Sequence, residues 1–251
     1  MGGVIINMKK IIALSLFSIA FLFTACNTTP EGCVEGNCKE GPGKIMTPDG
    51  VTYEGNFKDS KKEGPGVMVW SNGATYTGDF TDDQRTGKGV MTWPNGDKYE
   101  GSFVDGKKEG EGVYTYADGS VYNGQFANDM RNGKGKFLFA DGASYEGGYI
   151  DGIRNGDGTY KWQNGDAYTG QWKDCIMDGD GALNFSNGDS YNGQWATGVM
   201  EGTGTYTWSN KFRYEGQWAK GKMNGKGTFV RKDGNSVSGN FENGDMVERT
   251  D

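Results

Sequence analysis

The residue types that most often carry catalysis are either missing from this chain or spread evenly along it. The 251 residues include no histidine, so Ser-His and Cys-His pairs and histidine metal ligands are excluded. The 33 acidic residues recur at solvated positions, and no two stand out as the carboxylate pair of a glycosidase. A phosphate-binding loop requires a helix directly after its glycines, and no helix follows the Gly-x-Gly runs of this chain. The sequence therefore predicts that the protein is not an enzyme and has no catalytic residue, metal site or cofactor.

Three of the four cysteines have a neighbour or a spacing that suggests a role. Cys33 and Cys38 flank Val-Glu-Gly-Asn, and in an oxidising compartment we expect them to form a disulfide that closes a hairpin. A zinc site is the alternative, but no second cysteine pair lies nearby. Cys26 belongs to the N-terminal signal. Cys175 has no adjacent basic residue to activate it as a nucleophile, so we interpret it as a leftover thiol.

Aromatic residues recur at a fixed period along most of the chain. A tyrosine appears every 23 residues, with glycine two residues later and a large aromatic residue four residues later. A fixed period of this length indicates a repeat array, in which each small unit stacks on its neighbours. The tyrosines are Tyr53, Tyr76, Tyr99, Tyr122, Tyr145, Tyr168, Tyr191 and Tyr214, and the large aromatic residues are Phe57, Phe80, Phe103, Phe126, Tyr149, Trp172, Trp195 and Trp218.

Each repeat is predicted to be a pair of antiparallel strands. In the third copy, residues 99–103 alternate with the period of a strand, and residues 110–116 alternate again after a loop at 104–109. Asp118-Gly119 ends the unit, and Asp-Gly between alternating runs is a strong hairpin signal. One face of the pleat is aromatic and the other is polar. The predicted fold is all-β: an elongated, single-layer antiparallel sheet, curved and twisted, with an aromatic groove.

Glycine at three fixed positions of every copy needs a physical reason, because glycine normally weakens a strand interior. In the third copy these positions are Gly101, Gly110 and Gly112. We expect rings from flanking positions to lie flat across the glycine backbone, where side chains would block them. We also expect the glycines to let the sheet bend towards its aromatic face.

The repeat pattern Tyr-x-Gly-x-(Trp/Phe)-x-x-Gly-x-x-x-Gly-x-Gly, followed by an aromatic residue and Asp/Asn-Gly, resembles the MORN (membrane occupation and recognition nexus) repeat. The resemblance covers residues 31–248. It implies a string of β-hairpins in one long, twisted, grooved sheet, and it implies no chemistry of its own.

The repeat register divides the chain into segments and shows where single copies differ from the repeat pattern. The copy that begins at Tyr191 lacks a glycine after Asn210, where we expect the asparagine to take a left-handed conformation in a different turn. Val237 stands where a ninth tyrosine is expected. Arg231 stands where each earlier copy has its last aromatic residue before the turn. The predicted divisions are a signal peptide at 1–25, a lipid-anchored tether at 26–30, an N-terminal cap repeat at 31–52, eight repeats at 53–236, and a C-terminal cap and tail at 237–251.

The first residues have the features of a bacterial export signal. Two lysines precede an apolar stretch from Ile11 to Phe23, which is shorter than the ~20 residues of a membrane-spanning helix. Thr24-Ala25-Cys26 then resembles a bacterial lipobox, in which the cysteine is lipidated and becomes the new N-terminus. We expect a lipoprotein of the bacterial cell envelope, periplasmic or surface-exposed, anchored to the membrane through Cys26. The alternative is an ordinary secreted protein in which Cys26 is incidental.

A row of cations runs along one edge of an otherwise acidic chain. The formal net charge is −7, and removal of residues 1–25 takes two lysines, so that 24 basic minus 33 acidic residues leaves −9. Nucleic acid is not an expected partner, because its recognition depends on phosphate neutralisation. The row is either a ladder for lipid head groups or acidic glycans, or ordinary protection of a sheet edge, which interleaved acidic residues favour. Its members are Lys62, Arg85, Lys108, Arg131 and Arg154, and Met177, Met200 and Met223 replace them in the last three copies.

The aromatic face supplies the candidate binding groove. Contiguous exposed apolar surface usually marks an interaction site, although the rings are alternatively the core of a thin fold. The candidates come from the tryptophan-rich later copies: Tyr168, Trp172, Tyr191, Trp195, Trp208, Tyr214 and Trp218. The predicted function is a non-enzymatic, lipid-anchored scaffold or adaptor, about 80 Å long, that presents this surface to a protein partner. Carbohydrate binding at the cell surface and direct phospholipid recognition by the repeats are the alternatives.

Overall fold

The computed structural model describes residues 32–250, which form twenty β-strands in one open sheet. Each strand pairs antiparallel with its neighbours in chain order, from β1 to β20. Twenty strands give a ribbon about 90 Å long. The predicted all-β, single-layer antiparallel sheet is confirmed. The strands are β1 (Cys33–Gly36), β2 (Gly41–Met46), β3 (Thr52–Lys58), β4 (Lys61–Val69), β5 (Thr75–Thr81), β6 (Gln84–Thr92), β7 (Lys98–Val104), β8 (Lys107–Thr115), β9 (Val121–Ala127), β10 (Met130–Leu138), β11 (Ser144–Ile150), β12 (Ile153–Lys161), β13 (Ala167–Lys173), β14 (Ile176–Asn184), β15 (Ser190–Ala196), β16 (Val199–Thr207), β17 (Arg213–Ala219), β18 (Lys222–Val230), β19 (Ser236–Glu242) and β20 (Asp245–Arg249).

The hairpin tip inside each repeat is tighter than the sequence suggests. In the third copy Val104 pairs with Lys107, so only Asp105 and Gly106 form the turn. Both have positive φ, 48° and 76°, the conformation of the two-residue turn that matches strand twist. The predicted loop at 104–109 is therefore wrong, because β8 already begins at Lys107.

A β-bulge follows each tip and explains the first glycine of the Gly-x-Gly pair. Gly101 pairs with Gly112, and Phe103 pairs with Lys108, so one residue of β7 faces three of β8. Gly110 lies in this bulge with φ of 68°. Its role is to allow the left-handed backbone of the bulge, not to support a ring as predicted.

The turn that joins one repeat to the next survives without its glycine. In the third copy the Tyr116 amide donates to the Ser120 carbonyl at 2.8 Å. In the copy that begins at Tyr191, the Trp208 amide donates to the Phe212 carbonyl at 2.9 Å. Lys211, with φ of 71°, takes the glycine position. The hairpin therefore survives, but the expected change to a different turn with a left-handed Asn210 is wrong.

The core is a row of interlocked rings along one face of the ribbon. Tyr99 is fully buried and meets Phe103 and Phe126 edge to face, with ring centroids 5.2 and 5.0 Å apart. Equivalent contacts continue without a break from Phe57 to Phe241. Each is worth about 0.5–1.5 kcal/mol beyond the burial of its area. A single-layer sheet obtains its core in this way, because the rings cover one another.

Each core tyrosine lies across a pair of facing glycines, as predicted. A Cβ atom at Gly112 would stand 2.5 Å from Cε2 of Tyr99, and one at Gly101 would overlap the tip of the same ring. The Tyr99 hydroxyl donates to the Ser102 carbonyl at 3.0 Å. Since the ring occupies the space above both glycines, a side chain at either position would displace it.

Short hairpins close the two ends of the described ribbon. Cys33 and Cys38 form the predicted disulfide beside the β1–β2 turn, and Cys38 is buried. At the other end, Phe241 in β19 continues the ring row from Tyr214. The predicted signal peptide, tether and lipidated Cys26 lie outside the described residues. Residues 32–250 contain no helix that is long and apolar enough to cross a membrane.

Candidate functional site

Six of the seven predicted groove residues belong to the core. Their side chains are nearly or fully buried, so the expectation that they line an open groove is wrong. The reason is that Trp172, Trp195 and Trp218 each pack between two core tyrosines, and those tyrosines lie across the paired glycines. Of the seven candidates, Trp208 alone is only partly buried. The buried six are Tyr168, Tyr191 and Tyr214 at 0% exposure and Trp172, Trp195 and Trp218 at 5–6%.

The indole N–H groups of the same three tryptophans form hydrogen bonds within the fold. The Trp195 indole Nε1 donates to the Gly181 carbonyl at 3.1 Å. Its ring meets Tyr168 and Tyr191 edge to face at 5.4 and 5.2 Å. Trp172 and Trp218 make the equivalent bonds. These rings therefore hold successive repeats together and, at 5–6% exposure, leave little surface for a ligand, although Trp218 also lines a depression of the aromatic face.

The predicted basic row lies on top of the aromatic face, at the ends of the strands and away from the hydrogen-bonding edges of the sheet. The Arg131 guanidinium stacks on Tyr122, Phe137 and Tyr149, with 5.3–5.7 Å to the ring centroids. Its Nη2 donates to the Gly152 carbonyl of the next hairpin tip at 2.9 Å. The other members of the row, Lys62, Arg85, Lys108 and Arg154, also lie over rings.

Neither sequence interpretation of the row, as a head-group ladder or as edge protection, describes this arrangement. Burial lowers the pKa of Arg85 and of Lys108, and for Lys108 the nearby Asp129 carboxylate opposes that shift. Lys62 forms an ion pair with Asp83 at 2.9 Å. The cations cap the ring core, because their apolar stems cover rings. Arg85, Arg131 and Arg154 also join adjacent hairpin tips through hydrogen bonds to carbonyls, and Lys62 does so through its ion pair.

Replacing Arg131 with methionine is expected to destabilise the chain by about 1–2 kcal/mol, because three cation–ring contacts and one hydrogen bond are lost. Urea denaturation followed by circular dichroism measures this change. Met200→Leu is the matched control, since it alters a side chain at the same repeat position without removing a charge. Equal stability of the Arg131→Met variant and the unmodified chain would contradict a capping role.

Within the eight repeats that begin at Tyr53, methionine replaces the cation only where tryptophan replaces the facing ring. Trp172 pairs with Met177, Trp195 with Met200 and Trp218 with Met223 across the hairpin. Earlier copies pair Phe or Tyr with Lys or Arg, as in Phe103 and Lys108. Near this end the aromatic face has a depression of about 290 Å³. The sequence analysis missed this opening, whose signal was the joint change of both residues. Its lining is Met200, Tyr206, Trp208, Trp218, Gly221, Lys222, Met223, Asn243 and Gly244.

The polar face carries a wide depression among the paired glycines. It has a volume of about 820 Å³, and a second depression of about 540 Å³ shares Glu111 and Asn123 with it. The floor consists of the paired glycines, such as Gly135 and Gly147, and the walls are charged or hydroxyl side chains. The side-chain positions of these glycines point to the aromatic face, where Tyr122 and Tyr145 lie, so the backbone along this line is accessible from the polar face. Among the described residues, no group of three or more Cys, Asp or Glu side chains is placed to hold a metal ion.

The repeats match a known protein family. The MORN repeat model matches seven segments: residues 53–75, 76–98, 99–121, 122–144, 145–167, 191–212 and 214–236. The chain belongs to the MORN-repeat family. The matches leave out residues 168–190, yet β13 and β14 form the same hairpin there, with Tyr168 across Gly170 and Gly181. Residues 168–190 therefore form the same hairpin as the seven matched segments.

Two solved structures are similar to this chain at low sequence identity. The wild-type TCP10 domain of Danio rerio CPAP, in complex with a peptide of Danio rerio STIL, has 10% identity and a TM-score of 0.51, over 87% of this chain and 98% of that one. The Drosophila melanogaster SAS-4 TCP domain, in complex with a proline-rich motif of Ana2, has 12% identity and a TM-score of 0.41, over 65% and 89%. No curated protein matches the chain. The first likeness extends to the fold alone.

Proposed function

We propose that this MORN-repeat chain is a non-enzymatic scaffold or adaptor of the bacterial cell envelope, anchored by lipid at Cys26, that holds a protein partner on its ribbon. The observation that carries the proposal is the open single-layer sheet. Residues 32–250 contribute no second layer, so both faces can be approached along about 90 Å. A stack of identical hairpins suits the recognition of an extended partner rather than of a small substrate.

A protein segment fits the accessible surfaces better than a compact ligand does. The polar depressions follow the glycine line from one repeat to the next, and the aromatic opening near Trp208 lies on the other face. The TCP10 domain, which shares this fold, was solved with a peptide. A peptide that runs along such a ribbon would meet the same contacts about every 10 Å, because each repeat contributes two strands.

The two alternative functions have less support. Sugar rings stack on open aromatic faces, and burial removes six of the seven candidate rings from that role. Phospholipid head groups require accessible cations, whereas the cations of the basic row lie over rings, and four of the five also bond to a carbonyl or a carboxylate.

Photo-crosslinking in cells tests the scaffold role. A photoreactive residue is placed at Asn123 in the polar depression, at Trp208 in the aromatic opening, and at the exposed Lys232 as a control. We expect a discrete protein adduct from one of the first two positions and none from Lys232. Cys26→Ala is expected to release the chain from the membrane fraction. Adducts removed by glycosidases and resistant to proteases would instead support carbohydrate binding, and no adduct at either position would contradict the proposal.

A further inference from the structure

In four copies of the repeat, one of the chain's own cations lies in a cradle of three or more rings. Arg154 is typical: its guanidinium lies 5.4 Å from the ring centroid of Tyr145, 5.1 Å from that of Tyr160 and 4.9 Å from that of Trp172. Its Nη2 donates to the Cys175 carbonyl of the next hairpin tip at 3.3 Å. The cradle thus combines three aromatic walls with one carbonyl acceptor.

Two repeats later the same walls are present without the cation. Tyr206 and Trp218 have centroids 6.1 Å apart, against 6.2 Å for Tyr160 and Trp172. Met200 stands in place of the arginine and leaves the depression of about 290 Å³ between these rings. The separation of the two rings is therefore the same whether arginine or methionine stands at this repeat position.

The acceptor of the cradle is also retained. The Gly221 backbone lines the depression at the position where the Cys175 carbonyl receives Arg154. Tyr206 donates its hydroxyl to the Asp189 carboxylate at 2.9 Å, which places a negative charge behind one wall. Lys222 is the one cation of the lining, and it is an exposed residue paired with Ala219.

We propose that the cradle at Met200 binds a guanidinium or ammonium group of a partner, namely an arginine or lysine side chain of a bound peptide. The four internal cations show which chemistry such walls accept, since ring faces attract cations and carbonyls accept their hydrogen bonds. The assignment of the source to a peptide rests on the proposed scaffold role, whereas the site itself does not.

The neighbouring methionine copies offer poorer cradles. At Met177 one wall is the aliphatic Leu183. At Met223 the corresponding walls are Phe229 and Phe241, and phenylalanine attracts a cation less strongly than tryptophan does. The Met200 cradle is therefore the one in these three copies that keeps two tyrosines and a tryptophan, Tyr191, Tyr206 and Trp218, as the Arg154 cradle does.

The test uses the full chain labelled with fluorotryptophan and the probe acetyl-Gly-Arg-Gly-amide. Fluorine NMR resolves its seven tryptophans, which single substitutions assign. We expect saturable shifts at Trp208 and Trp218, and binding of the matched citrulline peptide that is weaker by about tenfold or more. Met200→Arg is expected to abolish the shifts, because its own guanidinium fills the cradle, and Met200→Leu to retain them. Arg154→Met is expected to open a second cradle that reports at Trp172.

Three results would overturn the proposal: no saturable shift with the arginine peptide, equal binding of the citrulline peptide, or undiminished binding by a folded Met200→Arg chain. The citrulline comparison and the Arg154→Met variant decide the matter even if Met200→Arg does not fold. The probe experiment is independent of the crosslinking experiment. Probe binding without any protein adduct keeps the cradle and removes the scaffold role, whereas a protein adduct without probe binding removes only the cradle.

Discussion

Replacing Gly112 with alanine is expected to destabilise the chain by about 3–5 kcal/mol, the range for losing a buried large side chain from a core. The added Cβ would lie 2.5–2.7 Å from three atoms of the Tyr99 ring, so the ring must leave its place. Tyr99 is fully buried and contacts rings of its own repeat and the next, so its displacement interrupts the core between two copies. Urea denaturation followed by far-ultraviolet circular dichroism measures the loss.

Two further variants separate this overlap from the general effect of adding a methyl group. Gly119→Ala adds a Cβ that meets nothing within 4 Å, and its left-handed φ of 89° is expected to cost only about 1–2 kcal/mol. In a chain that already carries Tyr99→Ala, Gly112→Ala is expected to cost much less than in the unmodified chain. Equal costs at Gly112 and Gly119, or strictly additive effects with Tyr99→Ala, would contradict the ring-on-glycine packing.

The sheet and its register were predictable because the information is local. Each repeat contacts mainly its two neighbours, so a pattern of 23 residues contains almost all the constraints on one copy. Tyr99, Gly101 and Gly112 could therefore be placed together before any coordinates were known. The tip of the hairpin could not, because Lys107 and Lys108 resemble loop residues. Lys108 is in fact a strand residue whose stem covers rings.

The functional surface was less predictable than the fold. Alternation assigns Trp195 to the aromatic face, but it does not say whether another ring covers that face. Coverage depends on how side chains of adjacent repeats interlock, which a period-2 pattern does not encode. The opening at Met200 had a sequence signal in hindsight, since aromatic residues and their cross-hairpin partners change together from Phe103 and Lys108 to Trp195 and Met200. This sequence signal could be interpreted only with the knowledge that the cations of the earlier copies lie over the rings.

The ribbon is expected to unfold cooperatively between about pH 10 and pH 12, because its core consists of tyrosines. Burial raises the pKa to about 12 for Tyr53, Tyr76, Tyr99, Tyr122, Tyr145, Tyr168 and Tyr191, and it also raises the pKa of Tyr214. An unfolded tyrosine ionises near pH 10, so each of the seven contributes about 2–3 kcal/mol that is present below pH 10 and is lost as the pH approaches 12. Four such groups equal about 10 kcal/mol, the scale of the stability of a whole domain.

Tyrosinate absorbance and circular dichroism, recorded on the same samples, decide whether ionisation drives this unfolding. We expect both to change together and steeply, since the first ring to ionise must leave the row and exposes its neighbours. Return to neutral pH is expected to restore the spectrum, which separates ionisation from chemical damage. Tyr122→Phe removes one ionising group, and its loss of stability between pH 8 and pH 11 is expected to be smaller than that of the unmodified chain by about 1–2 kcal/mol. Gradual ionisation near pH 10 with an unchanged circular dichroism spectrum would mean that the core tyrosines are open to solvent, and the ring row would then not be the core.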